Sequence, residues 1–295
     1  MIMEIRTRGL EEAFYAILEA LHSSDAREVS PRGQRVRNIT DCQLLIEDPR
    51  DRLIFNPIRK INVTSVVGEA LWYLRGSESL SEIEYYVPKM RGFSDDGNIV
   101  NSAYGKRLAH LDMLLGQLEL DPDSRRAVHP ILFVEDVLKL PQTKDFPCTL
   151  ALQFLIRDSR LHLTVYMRAN DVFWGLQHDV FFFTFLQEIV ALKLGVGLGR
   201  YRHVAGVFDL YERHYEKSRR IMQERTTSEA LPPISSLGEL EELKRQEPAI
   251  REGRTAGLRY LKDPLLEDFR RLLLRKRTGR LLRIRTKSLR RLVYT

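Results

Sequence analysis

The chain has 295 residues, 43% of them hydrophobic, enough for one large domain or two small ones around a substantial core. Its formal charge of +7 is local: eleven of the 47 Lys and Arg lie between residues 270 and 291, where there is no acid, and the remaining 36 face 40 acids. No apolar run reaches the roughly 18 residues of a membrane span, and MIMEIRTRGLEEAF has no signal-peptide pattern. Two distant cysteines, Cys42 and Cys148, supply neither a disulfide framework nor metal-ligand spacing. A cytoplasmic protein with no membrane partner and no metal is expected.

Residues 9–22, GLEEAFYAILEALH, set Leu10, Phe14, Leu18 and Leu21 on one helical face. SPRGQRVRN, 30–38, reads as a basic loop turned at Gly33. TSVVGEALWYLR, 64–75, reads as a mostly apolar helix whose one acid is Glu69. Residues 92–106 read as loop, and LDPDSRR, 120–126, as a turn ending in an arginine pair.

The most informative local pattern follows. CTLALQFLI is strand-like, and RLHLTVYMR alternates Leu161, Leu163, Val165 and Met167 against His162, Thr164, Tyr166 and Arg168. With Asp158–Ser159 as a two-residue hairpin loop, Arg157 faces Arg160 and Cys148 faces Ala169, next to Arg168. A bulge would shift this by one residue. Opposed Cα atoms in such ladders are about 4.5–5.5 Å apart. A cysteine and an arginine therefore meet at the open end of the hairpin, and a neighbouring guanidinium favours a thiolate.

VFFFTFLQEIVALKL, 180–194, reads as a buried helix with Asp179 at its N-cap, where a carboxylate accepts from free backbone N–H groups. GVGLG, 195–199, follows a helix instead of opening one, so it reads as a helix stop and loop, not a dinucleotide fingerprint. TTSEALPPISS, 226–236, reads as a connection to a C-terminal segment. The basic stretch 270–291 could meet nucleic acid or an anionic surface. Its interleaved leucines favour a helix or strand pair packed on the domain over a nucleic-acid partner.

Taken in order, GEALWYLRGS, NSAYGKR, DPDSRR, FPCTLALQF, YMRANDVFWGLQHD and AGVFDLYERH resemble the thymidylate synthase family, including its pyrimidine-nucleotide hydroxymethylase branch. The resemblance spans about residues 10–217. It implies an α+β fold around a central mixed sheet, with two copies packed sheet to sheet as a homodimer. A catalytic domain over 1–225 and a divergent basic segment over 226–295, packed on the same domain, are expected.

The resemblance also implies roles. Cys148 is the nucleophile that attacks C6 of a pyrimidine, so that C5 can take a one-carbon unit from 5,10-methylenetetrahydrofolate, and no metal is needed. Glu69 is the acid/base acting through water. Arg168 contacts both the cysteine and the phosphate. Arg125 and Arg126 reach the partner subunit's nucleotide, and Arg32 is a further phosphate contact; guanidinium forks suit phosphate. Tyr211 touches the sugar. Trp72, Tyr104, Asp171 and Gly175 fall on the folate side.

The departures bear on substrate. Asp179 stands where the synthase has asparagine. An amide matches uracil's N3–H and O4, whereas a carboxyl group suits cytosine's N4–H and N3. The family's cytosine-specific hydroxymethylases carry Asp here. Ala169 replaces a phosphate-binding serine and Asp209 a sugar-binding histidine. A carboxylate can accept from both hydroxyls of a ribose, so CMP is favoured over dCMP, although Asp209 could instead pair with Arg213. Thr149 replaces a common histidine, and the chain ends in LVYT instead of the synthase's closing tail, which is consistent with water reaching the intermediate. The expected function is CMP 5-hydroxymethylation. The alternatives are a dCMP hydroxymethylase, a methylating synthase-like enzyme, and an inactive nucleotide- or RNA-binding homologue. A ribonucleotide product would suit nucleoside-antibiotic biosynthesis; a deoxynucleotide would suit modified phage DNA.

Overall fold

The computed structural model describes residues 3–294. Met1, Ile2 and Thr295, the outermost residues of the two termini read above, lie outside them. The chain forms two compact units, each assembled from separated stretches. The first comprises Met1–Ile61, Met113–Leu132 and Cys148–Ala230; the second comprises Asn62–Asp112, Phe133–Pro147 and Leu231–Thr295.

The first unit carries a mixed sheet, and the α+β fold is the one expected. Its strands are β1 (Met3–Thr7), β2 (Arg27–Val29), β3 (Val36–Ile46), β4 (Val128–Pro130), β5 (Thr149–Arg157), β6 (Arg160–Met167), β7 (Asn170–Asp171) and β8 (Gly197–Tyr211). They run in the order β1-β3-β8-β6-β5-β4, with β2 beside β3 and β7 beside β8. The pairs β1–β3, β6–β8 and β7–β8 are parallel, and the other pairs are antiparallel.

Cross-strand rows define the buried face. Phe154, Leu163, Tyr201 and Ile46 form one row; Leu152, Val165, His203 and Leu44 form the next. Helices Leu10–His22 and Leu176–Lys193 pack on this sheet. The alternate rows, such as Gln153–Thr164–Arg202 and Ala151–Tyr166–Val204–Gln43, stay half-buried or exposed.

The hairpin forms as its alternation predicts. Asp158 and Ser159 take φ of 50° and 55°, the left-handed pair a tight two-residue turn demands. Arg157 faces Arg160, and the register holds back to Ala151–Tyr166. A bulge between Thr149 and Ala151 then sets Thr149 opposite Met167.

Two local expectations are corrected. Asp179 is not an N-cap: the helix begins at Leu176 after Gly175, and the Asp179 amide already donates to the Gly175 carbonyl. The polar look of Gln177 concealed the extra turn. Its buried amide accepts from Ile54 N–H and donates to the Arg52 carbonyl, so burial leaves it satisfied. In GVGLG, Gly195 does stop the helix with φ of 65°, but Gly197 and Gly199 open β8 instead of a loop. A Cβ on Gly199 would lie 2.7 Å from the Leu161 carbonyl oxygen of the neighbouring strand.

The second unit is helical. Helix Val63–Leu74 is capped by Asn62, whose side chain accepts from Ser65 N–H, and helix Pro264–Thr278 packs on it and on helix Leu237–Glu252. The basic stretch falls in helices Pro264–Thr278 and Lys287–Val293, with Leu272, Leu273, Ile284 and Leu289 buried. Arg270 and Arg271 both pair with buried Glu267 at 2.8 Å.

Candidate active site

At the open end of the hairpin, just past the bulge, the Arg168 amide donates to the Cys148 carbonyl at 2.8 Å and its Nη2 approaches the Cys148 sulfur at 3.5 Å. Cys148 is half-buried and Arg168 exposed. Gly206 on β8 makes room: a Cβ there would stand 2.8 Å from the Arg168 carbonyl oxygen. The other cysteine, Cys42, is buried in the sheet, and burial pushes its thiol up to about 12. Thr149, beside Cys148, has a buried hydroxyl with no hydrogen-bond partner among the described residues.

Two carboxylates lie side by side where β7 meets β8, because Asp171 is in register with Asp209. Burial, reinforced by Asp171 and opposed by Arg168, pushes the Asp209 carboxyl up to about 6. Burial also raises Asp171, against the Phe173 and Trp174 amides donating to its Oδ1 at 2.8 and 3.0 Å and against Arg213 and Arg59. Tyr211, at the end of β8, lies under the Arg213 guanidinium at 4.2 Å, with Arg32 acting on its hydroxyl. Arg32 is exposed and adopts φ of 51° in the Pro31–Gly33 turn. Asp209 is thus near Asp171 and Arg168, and Arg213 lies on Tyr211; no ion pair between Asp209 and Arg213 occurs among the described residues.

Asp179 sits in the first turn of helix Leu176–Lys193. Its Oδ2 accepts from Asn170 Nδ2 at 2.7 Å. Gly175 closes over this pair: a Cβ there would lie 3.0 Å from Asp179 Oδ2 and 3.1 Å from Asn170 Nδ2. Asn170 was not singled out from sequence. Its one signal was its place between Arg168 and Asp171. Arg59 was also missed: it is half-buried over the Phe173 ring at 5.2 Å, donates to the Phe173 carbonyl, and is held down at about 10 by desolvation.

Ala169 is half-buried between Arg168 and Asn170. Arg125 and Arg126 are exposed, and their guanidinium groups make no hydrogen bond or ion pair among the described residues.

Glu69, Trp72 and Tyr104 belong to the second unit. Glu69 is 6% exposed and accepts from the Tyr73 hydroxyl at 3.2 Å. Tyr73 stacks on Tyr104 with ring centroids 5.1 Å apart and lies 4.9 Å from Trp72. Gly105 permits this approach, since a Cβ there would meet the Tyr73 carbonyl oxygen at 2.0 Å. Trp72 is 1% exposed, and its indole N–H has no partner among the described residues.

The sequence matches the thymidylate synthase family over residues 13–248, four-fifths of the chain and past the boundary expected at 225. The chain belongs to the thymidylate synthase family. Cys148, Arg168 and Asp179 all lie inside the matched stretch. Curated relatives include deoxyuridylate hydroxymethyltransferases of three phages. That of Bacillus phage SP01 is 33% identical over 202 residues, covering 62% of this chain and 52% of the relative. That of Pseudomonas phage M6 is 32% identical over 216 residues, covering 70% and 61%. That of Delftia phage PhiW-14 is 31% identical over 230 residues, covering 72% and 62%. The chain therefore spans between about half and three-fifths of the length of these relatives.

Proposed function

We propose that this thymidylate synthase family member transfers a one-carbon unit from 5,10-methylenetetrahydrofolate to C5 of a cytosine nucleotide, with addition of water, giving a 5-hydroxymethyl nucleotide. The observation that carries the reading is the Arg168 guanidinium set against the Cys148 sulfur. A thiolate beside a cation is an activated nucleophile that requires no metal. The similarity to hydroxymethyltransferases supports hydration of the transferred carbon over its reduction.

In this reading Cys148 adds to C6 of the base, which makes C5 nucleophilic. The folate, when bound, supplies an electrophilic one-carbon unit. Once that carbon is on C5, loss of the C5 proton and release of tetrahydrofolate would leave an exocyclic methylene on the base; a water for which Glu69 is the assigned acid/base then adds to that carbon, and expulsion of the Cys148 thiolate from C6 restores the aromatic ring. Asp171 fits a reduced pterin: Oδ1 is satisfied by two amides, while Oδ2 takes no hydrogen bond among the described residues and can accept ring N–H groups. Gly175, in the first unit, and Tyr104 and Trp72, in the second, are each assigned to the folate by the family resemblance alone. For Trp72, deep burial leaves a packing role through Tyr73 as the way it acts.

Asp179 reads the base. A carboxyl group accepts from cytosine N4–H, and rejects uracil O4 because two acceptors would be left face to face. Arg168 and Arg32 hold phosphate, with Ala169 replacing a hydroxyl donor. Asp209 and Tyr211 hold the sugar, and a carboxylate accepting from two hydroxyls favours CMP over dCMP. The half-exposed face of the sheet supports a homodimer in which Arg125 and Arg126, whose guanidinium groups have no partner among the described residues, reach the partner's nucleotide. We place the enzyme in the cytoplasm.

A second reading, hydroxymethylation of deoxyuridylate, is favoured by the names of the phage relatives. The two readings divide on Asp179. A methylating reaction would oxidise the folate, so following dihydrofolate absorbance during product formation separates it from both. Product without an absorbance rise is the expected result; a stoichiometric rise would overturn hydroxymethylation.

A further inference from the structure

Asn170 is 2% exposed, and the two ends of its amide are treated unequally. Nδ2 has two acceptors, Asp179 Oδ2 at 2.7 Å and Met167 Sδ at 3.5 Å. Oδ1 is buried with no partner among the described residues. A buried carbonyl without a donor is costly, and an apolar side chain of similar size would avoid that cost. Turning the amide over would not help, because Oδ1 would then face the Asp179 carboxylate, acceptor against acceptor. The amide is therefore held in its costly orientation by Asp179. The backbone supports the arrangement from two sides. β7 pairs Asn170 with Phe208 on β8, and Gly175 closes over the contact so tightly that a methyl group would press on both partners.

We propose that Asn170 is a positioning residue for Asp179: it turns Oδ2 into the protein and so fixes the orientation in which the carboxyl group meets the N3–N4 edge of the base. Discrimination between cytosine and uracil nucleotides then depends on the pair, not on Asp179 alone. The inference rests on the reading of Asp179 as the base-reading group. It extends that reading by naming what holds the group still. Without the donor, the carboxyl group loses one hydrogen bond that sets its rotation, and a less firmly held acceptor discriminates poorly between edges that differ only in donor and acceptor order.

The test is a double-mutant cycle read by equilibrium binding of CMP and UMP to the full chain, with no folate present, so that it is independent of turnover. Asn170→Leu removes the donor and fills the space; Asn170→Asp keeps the shape and removes the donor; Asn170→Ser keeps a hydroxyl donor. Expected is a CMP-over-UMP binding ratio that falls about tenfold or more in Asn170→Leu and Asn170→Asp and is partly restored in Asn170→Ser. In the Asp179→Ala background, where the reading group itself is gone, Asn170→Leu changes the ratio less than about twofold. A structural role alone would lower affinity for both nucleotides together and leave their ratio alone. Thermal unfolding identifies any variant that fails to fold, and the remaining substitutions then carry the test. An unchanged ratio in folded variants, or an equal fall in both backgrounds, overturns the proposal. If the wild-type chain binds the two nucleotides equally, the reading of Asp179 fails first, and that result is visible before any variant is made.

Discussion

Arg168 grips Cys148 twice, donating its backbone N–H to the Cys148 carbonyl at 2.8 Å and setting its Nη2 3.5 Å from the sulfur. The backbone bond continues the strand ladder beyond the bulge, so the guanidinium is delivered to the sulfur by the hairpin itself.

Cys148→Ala should therefore abolish turnover, by about a thousandfold or more, while leaving nucleotide binding within a few-fold of the wild type. Single-turnover product formation and calorimetric nucleotide binding check the two halves separately. Turnover near the wild-type rate would remove covalent attack from the account.

Asp179→Asn should move preference from the cytosine towards the uracil nucleotide, by about a hundredfold or more in the ratio of kcat/KM values. An amide supplies both a donor and an acceptor to uracil, and Asn170 Nδ2 can still donate to its oxygen. An unmoved ratio would exclude Asp179 as the group that reads the base.

Asp209 gives a pH-dependent prediction. An aspartate in an unfolded chain titrates near about 4, and in the fold burial and Asp171 push Asp209 up to about 6. The folded state thus prefers the protonated form, so this group's stability contribution is full below about pH 4 and is lost as pH rises through about 6. Asp209→Asn, which cannot ionise, should melt higher than the wild type at pH 7.5, by about 2 °C for a partly solvated group. The gap should close towards pH 4.5. Thermal unfolding at the two pH values measures it.

Gly105→Ala tests the second unit. The added methyl group would meet the Tyr73 carbonyl oxygen at 2.0 Å, so the Tyr73–Tyr104 stack must separate. A loss of about 2–3 kcal/mol in unfolding free energy is expected. A change below about 0.5 kcal/mol would show that this backbone approach is not required.

What could be read from the sequence follows from how local each signal is. The hairpin was legible because two turn residues and a strict alternation set its register as far as Ala151–Tyr166; the bulge beyond, which brings Cys148 to Arg168 instead of opposite Ala169, left no mark in that alternation. The start of the Asp179 helix was not, because Gln177 looks like a surface residue until Ile54 and Arg52, more than a hundred positions away, are seen to bond its amide. The same holds for Asn170, whose partner lies nine residues on across a turn and whose importance rests on a contact. The two interleaved units were also invisible to a reading along the chain, since composition changes little at Ile61 or Pro147. Family motifs located the candidate site residues; only coordinates could say that Asp171 and Asp209 stand in register and that Trp72 is fully enclosed.

Hydroxymethylation of a cytosine nucleotide, the reaction proposed for this chain, is read without intermediaries in the mass of the product. Incubating the full chain with methylenetetrahydrofolate and, separately, CMP, dCMP, UMP and dUMP should give a mass gain of one CH2O on CMP, and less on dCMP. A gain of one CH2, or modification confined to dUMP, would contradict it.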